Sequence, residues 1–330
     1  MTTGDVVHRE TPEPGAILTR VARGFVRVGT FEYFAARGQS EAVRSLADMV
    51  RSEMCPVEGS GVDVYRAWFE QIVAAQASLI ALWMSVGFIH GVMNTDNMAI
   101  SGETIDYGPC AFMDTYDPET VFSSIDHYGR YAFFNQPGIA KWNLARFAEC
   151  LIPLIHDDKN TGIQIATEIV NSFSEIYQKN WFEMMRKKLG LLGKDEKDEK
   201  LIIDLLSWMH KSKADYTNTF CVLMDQNFKK DKIYNNQSFL DWKKQWQIRL
   251  KINNSLPKES LKLMRSSNPL VIPRNHKVEE ALEAANSDNL NPAKNLLKIL
   301  EKPYEYDKDI NKYQSPAPPS DKVYKTFCGT

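Results

Sequence analysis

The sequence predicts an α+β fold that is predominantly helical. Three observations carry this. Residues 16–34, AILTRVARGFVRVGTFEYF, are rich in β-branched and aromatic side chains. A helical, nearly uncharged pattern runs from Val64 to Phe88. From Trp142 onward apolar residues recur at helical spacing over 142–155, 162–189, 200–230 and 238–253.

The first stretch reads as one or two strands leading into a helix that starts near Ser40. The second is apolar nearly all round, as expected of a helix at the centre of a core. Within it, residues 72–89 form 18 uncharged positions, the lower limit for a membrane span. Gln76, Ser78 and Ser85 interrupt that run, so it reads as a buried core helix. Gly87 and Gly91 loosen its end, and a loop from His90 to Asn97 follows. Met98 to Ile105 reads as a short hairpin turning at Ser101-Gly102, closed by Asp106-Tyr107-Gly108-Pro109. Lys194 to Lys200, KDEKDEK, reads as a solvated loop. Pro292 to Leu300 starts a further helix, and the end, SPAPPSDKVYKTFCGT, reads as irregular.

A chain of 330 residues can bury a large core as one big domain or two lobes. Its net charge of -2 implies no global attraction to nucleic acid or to an anionic membrane. Cys55, Cys110, Cys150, Cys221 and Cys328 are scattered, without a CxxC pair. They argue against a zinc site or a secreted disulfide framework and for a reducing, cytoplasmic setting. The start, MTTGDVVHRETPEPG, has no apolar run and is not a secretory signal. No P-loop, G-x-S-x-G, H-E-x-x-H or nucleic-acid motif occurs.

Chemistry concentrates in His90-Gly91-Val92-Met93-Asn94-Thr95-Asp96-Asn97 and in Asp106-Tyr107-Gly108. Protein-kinase-like enzymes use H-R-D-x-x-x-x-N and then D-F-G. His90 and Asn97 keep that seven-residue spacing, but Val92 stands where the usual base would be. Asp96 is the carboxylate in the loop that could accept a proton from an incoming hydroxyl. A nucleotide triphosphate needs hard oxygen ligands for Mg2+ or Mn2+, and Asn97 and Asp106 offer them. Arg20 and Arg27 could neutralise phosphates from another side. The bland alternatives are Asx-capped turns for Asp96, Asn97 and Asp106, and exposed charges on a strand for the two arginines.

Elsewhere the bland readings are preferred. His156-Asp157-Asp158 reads as a helix end with an aspartate capping the next helix. Trp142 and Arg146 read as an aromatic with a stacked guanidinium. His276 reads as a cap or hydrogen-bond partner.

Longer stretches resemble the selenoprotein O (SelO) family. They are GAILTRVARGFVRVGTFEYFA, HGVMNTDNMAISGETIDYGPCAFMDTYDP, GRYAFFNQPGIAKWNLARFAECLIPLI, NPLVIPRNHKVEEAL and EKPYEY. The resemblance implies a protein-kinase-like (pseudokinase) C-lobe. Residues 1–40 would be a remnant of the N-lobe, 41–155 the catalytic lobe and 156–330 a helical extension. It implies protein adenylylation, with AMP passing from ATP to Ser, Thr or Tyr hydroxyls of protein partners. By position it makes Asp96 the proton acceptor, Asn97 and Asp106 the metal ligands, and Arg20, Arg27 and Asp106 nucleotide contacts. The nucleotide-cradling glycines and phosphate-contacting lysine that the family carries upstream are not found, so the N-terminal part of its domain is expected to be missing. The resemblance also implies a cysteine pairing with one near the C-terminus. Phe122 occupies its position, so that pairing of Cys328 is expected to be lost; Cys110 is the substitute partner to weigh, but it reads as a buried reduced thiol. The rival expectations are a true kinase and a non-catalytic binding fragment.

Overall fold

The computed structural model describes residues 2–8, 12–59, 61–225, 232–252, 257–307, 309–318 and 324–326. Two strands, β1 (Thr2–His8) and β2 (Pro12–Ala16), pair antiparallel at the N-terminal end. The expected strands of 16–34 are not formed. Residues 17–26 are irregular, and Val28–Ala35 is a helix, α1. Only Arg27 bridges, to Ala99, with Val28 N donating to Met98 O and Ile100 N to Val26 O. Burial explains the override of strand propensity. Val28 and Phe31 sit on one face of α1, and Phe31 packs edge-on against Phe147 at 4.9 Å.

Helix α2 (Ser40–Glu53) begins where expected and buries Val43, Ala47 and Val50. Helix α3 (Val62–Val86) is long and apolar enough to cross a membrane. Its Trp68, Phe69, Val73 and Ala77 are nevertheless wholly buried inside the protein. Gly87 ends it in the left-handed conformation. The hairpin expected at Met98–Ile105 is a turn without strands. The pairing that forms is longer in range: β3 (Phe88–Ile89) against β4 (Ala111–Phe112), which brackets the whole loop region.

Helix α4 (Gln136–Ile155) and helix α5 (Lys159–Lys188) pack on α3 to complete the core. Asp158 caps α5 by accepting from Thr161 N at 2.9 Å, as the sequence suggested. Arg146 and Arg130 both stack on Trp142.

The pattern at 200–230 divides into α6 (Asp198–Ser212) and α7 (Tyr216–Met224), with Lys213 left-handed at the break; 226–230 lie outside the described residues. Helix α8 (Gln237–Ile252) follows. The KDEKDEK stretch is not all solvated. Asp198 is 0% exposed and pairs with Arg249 of α8 through Nε at 2.6 Å and Nη2 at 3.1 Å. Helices α9 (Pro257–Ser267), α10 (Asn275–Asn286), α11 (Asn291–Leu300) and α12 (Asn311–Gln314) complete the extension. His276 lies in the first turn of α10, while the neighbouring Arg274 makes the strong contacts. It binds Asp114, Asp215 and the Gln314 carbonyl.

Lys188, at the end of α5, is buried with its ammonium 4.0 Å from the centre of the Phe220 ring. Burial pulls its pKa down to about 7 from an ordinary 10.5. Between those values the unfolded chain binds the extra proton, so stability rises with pH across that window. Lys188→Met should therefore be more stable than wild type at pH 7, by roughly 1–4 kcal/mol. The advantage should shrink by pH 9. Urea midpoints at the two pH values check this.

Candidate active site

The loop after α3 is built from a buried histidine outward. His90 is wholly buried, and its ring lies 5.4 Å from that of Trp83. Burial holds its pKa below the ordinary histidine value, opposed by the Ile105 carbonyl and the Asp106 charge. The neutral ring therefore donates from Nε2 to Ile105 O at 2.8 Å. That bond ties the loop to the residue before Asp106. Gly91 makes a second tie. At φ +88 it lies so close to the Pro109 carbonyl that any Cβ would collide with it.

Asp106 itself has φ 57, in the left-handed region that non-glycine residues seldom adopt. Its carboxylate meets no lysine, arginine or hydrogen-bond donor among the described residues. Asn97 closes a 3-10 turn, Thr95–Asn97, and its Nδ2 donates to Val92 O at 2.9 Å. With the amide nitrogen committed inward, Oδ1 is left as an acceptor without a protein donor among the described residues. No cluster of three or more His, Cys, Asp and Glu side chains arranged to hold a metal occurs among the described residues. Asn97 Oδ1 and the Asp106 carboxylate are thus both left without a protein partner among the described residues.

Asp96 is exposed and lies against the first turn of α1, where Gly29 leaves room for its carboxylate. A Cβ at Gly29 would strike that carboxylate. Arg27 reaches the same place through its bridge to Ala99, and its Nε is buried without a partner. Arg20 is exposed in the irregular stretch, and no contact among the described residues brings it to the loop. Arg23, which the sequence reading passed over, fastens that stretch by donating from Nη2 to Ser101 O at 2.9 Å and pairing with Glu103 at 3.5 Å.

Sequence reasoning also missed Gly29 and read Gly91 only as loosening a helix end, not as a point of close approach. It missed the contacts of α4 beneath the loop as well, where Gln136 and Asn143 are wholly buried. Their signal was two carboxamides seven residues apart on the otherwise apolar buried face of a helix. The C-terminal end touches this region too: Thr326 N donates to Phe122 O at 2.7 Å. Phe122, where the family resemblance expected a cysteine, packs on Tyr324 at 6.0 Å. Cys55, Cys110, Cys150 and Cys221 are free thiols, and burial raises Cys110 to about 11; Cys328 lies outside the described residues.

Comparison with known proteins gives consistent matches. The family model described as "Protein adenylyltransferase SelO" matches residues 1–301. A protein of Pelagibacter ubique named "Protein nucleotidyltransferase YdiU" is 52% identical over 328 residues, covering 99% of this chain and 68% of its own length. Proteins of the same name from Bacillus mycoides and Bacillus cereus are each 50% identical over 331 residues, again covering 68% of their lengths.

Proposed function

The chain belongs to the SelO family of protein adenylyltransferases, and from that premise we propose how its loop serves the transfer of AMP from ATP to a protein hydroxyl. The observation that carries the reading is a pair of uncommitted oxygens, Asn97 Oδ1 and the Asp106 carboxylate. They lie on two segments that His90 and Gly91 hold together. In this reading residues 41–155 form a kinase-like catalytic lobe, 1–40 the remnant of a second lobe and 156–330 its helical extension, working in the cytoplasm.

Asn97 and Asp106 would hold Mg2+ or Mn2+. The cation, when bound, supplies positive charge to the triphosphate. Arg27, with an unpartnered buried Nε, would face phosphate oxygens, and Arg20 would swing in from solvent. Asp96 accepts the proton of the acceptor Ser, Thr or Tyr hydroxyl. The hydroxyl oxygen forms a bond to the α-phosphorus, the bond to the bridging oxygen breaks, and pyrophosphate leaves. The exposure of Asp96 gives a protein substrate access to it. Left-handed backbone at Asp106 costs about 1–3 kcal/mol and persists where surroundings enforce it, which fits a residue held for its chemistry.

The test is ATP labelled on either phosphate. Label from the α-phosphate should reach protein in a metal-dependent way. Label from the γ-phosphate alone would make the chain a kinase. Absence of both transfer and metal-dependent ATP binding would leave a binding module.

A second expectation concerns His90. His90→Phe keeps a ring against Trp83 but deletes the bond to Ile105, so the Asp106 turn loses its anchor. Affinity for the metal–ATP complex should fall by roughly 10–100-fold, as when a ligand's supporting hydrogen bond is removed. Calorimetry on folded protein checks this.

A further inference from the structure

Helix α4 carries two carboxamides toward the loop. Gln136 and Asn143 are seven residues apart, two turns along one face. Both are 0% exposed. Gln136 Oε1 accepts from His90 N at 3.0 Å, while its Nε2 donates to Phe88 O at 2.9 Å. Asn143 Nδ2 donates to Met93 O at 2.9 Å. Burying an amide is unfavourable unless it is hydrogen-bonded, and two apolar side chains would fill this space more simply. All three bonds end on one short main-chain stretch, residues 88–93. That stretch leads directly into Asp96 and Asn97, and the same helix packs Phe147 under Phe31 of α1, the helix whose Gly29 lies against the Asp96 carboxylate.

We propose that Gln136 and Asn143 are positioning residues for AMP transfer, clamping the loop main chain at 88, 90 and 93 so that Asp96 and Asn97 are held in one arrangement. The proposal rests on the functional reading of those two residues. Neither amide touches substrate. Each acts through the loop, as groups that hold a reacting constellation in place do.

Gln136→Met and Asn143→Leu remove the bonds at nearly constant volume. Gln136→Glu keeps the acceptor for His90 N and replaces the amide donor to Phe88 O with a carboxyl that can donate only when protonated. Two measurements on the full chain decide the matter. In nucleotide-free protein, amide exchange over 88–98 should become at least ~10-fold faster, with the α5 amides unchanged. In AMP transfer to protein, kcat per folded molecule should fall at least ~10-fold, with KM for ATP changed less than about 3-fold. Gln136→Glu should show the smaller loss. Should Asn143→Leu not fold, Asn143→Ala, which also cannot donate, takes its place.

Folded variants with wild-type loop exchange and wild-type kcat would overturn the proposal. So would a lowered melting temperature with kcat per folded molecule unchanged, because the amides would then serve stability alone. The functional reading fails separately. Wild-type protein that neither binds metal–ATP nor transfers AMP would overturn it and the role in transfer. Faster loop exchange in the variants would then still establish the clamp as a feature of the fold.

Discussion

Asp106→Ala is expected to abolish metal-dependent ATP binding, whereas Asp96→Ala is expected to leave that binding within about twofold and cut transfer by about 10²–10⁴-fold. The contrast follows from where the two carboxylates sit. Asp106 is held beside the loop by the His90–Ile105 bond and the Gly91–Pro109 contact, and no protein cation neutralises it among the described residues. In the proposed function it would be the anionic oxygen offered to a divalent ion, for which a lone Asn97 amide would be a poor substitute. Asp96 instead faces solvent beside the first turn of α1, where the proposed function has it meet an incoming hydroxyl. Its removal takes away a proton acceptor and leaves the nucleotide's anchor intact. Calorimetry with ATP and Mn2+, paired with transfer assays, checks both. Equal loss of binding in the two variants would remove Asp96 from the role of base.

Arg274→Met is expected to destabilise the chain by about 3–5 kcal/mol. The guanidinium is 1% exposed. It bonds Asp114 on the segment following Asp106, grips Asp215 at 2.7 and 3.2 Å, and reaches Gln314 O at 2.9 Å. One side chain thus joins the loop region, the cap of α7 and the C-terminal extension. The methionine would fill the space yet leave two partly buried carboxylates facing each other without a cation. Protonation relieves that repulsion, so the deficit should narrow as pH falls and be full at neutral pH. Arg274→Lys keeps the charge but not the planar fork and should recover only part of the loss. Denaturant midpoints across pH measure this. An Arg274→Met variant as stable as wild type at pH 7 would show that the triad contributes nothing.

The sequence made the long helices legible because burial on α3, α4 and α5 follows their periodicity directly. It misled at 16–34, where Val21, Phe25, Val26 and Val28 read as strand. There the apolar face of Val28 and Phe31 is spent on helix packing, and only a single bridge at Arg27 remains extended. It misled at Met98–Ile105 because the true partner of Phe88–Ile89 is Ala111–Phe112, chosen by a distant register that local turn chemistry does not encode. Asp198 looked solvated because its partner, Arg249, lies in another helix. The proposed site residues stand out as residue types, since the His90–Asn97 spacing and the Asp106 turn stand in plain order. Their supports were not: the roles of Gly29, Gly91, Gln136 and Asn143 exist only once distant segments meet.

Crystals grown with ATP and Mn2+, read by anomalous scattering, examine the cation site without relying on turnover. The expected result is a manganese peak roughly 2.0–2.2 Å from both Asn97 Oδ1 and an Asp106 carboxylate oxygen. A peak elsewhere, or these two side chains directed away from each other around a bound nucleotide, would contradict it.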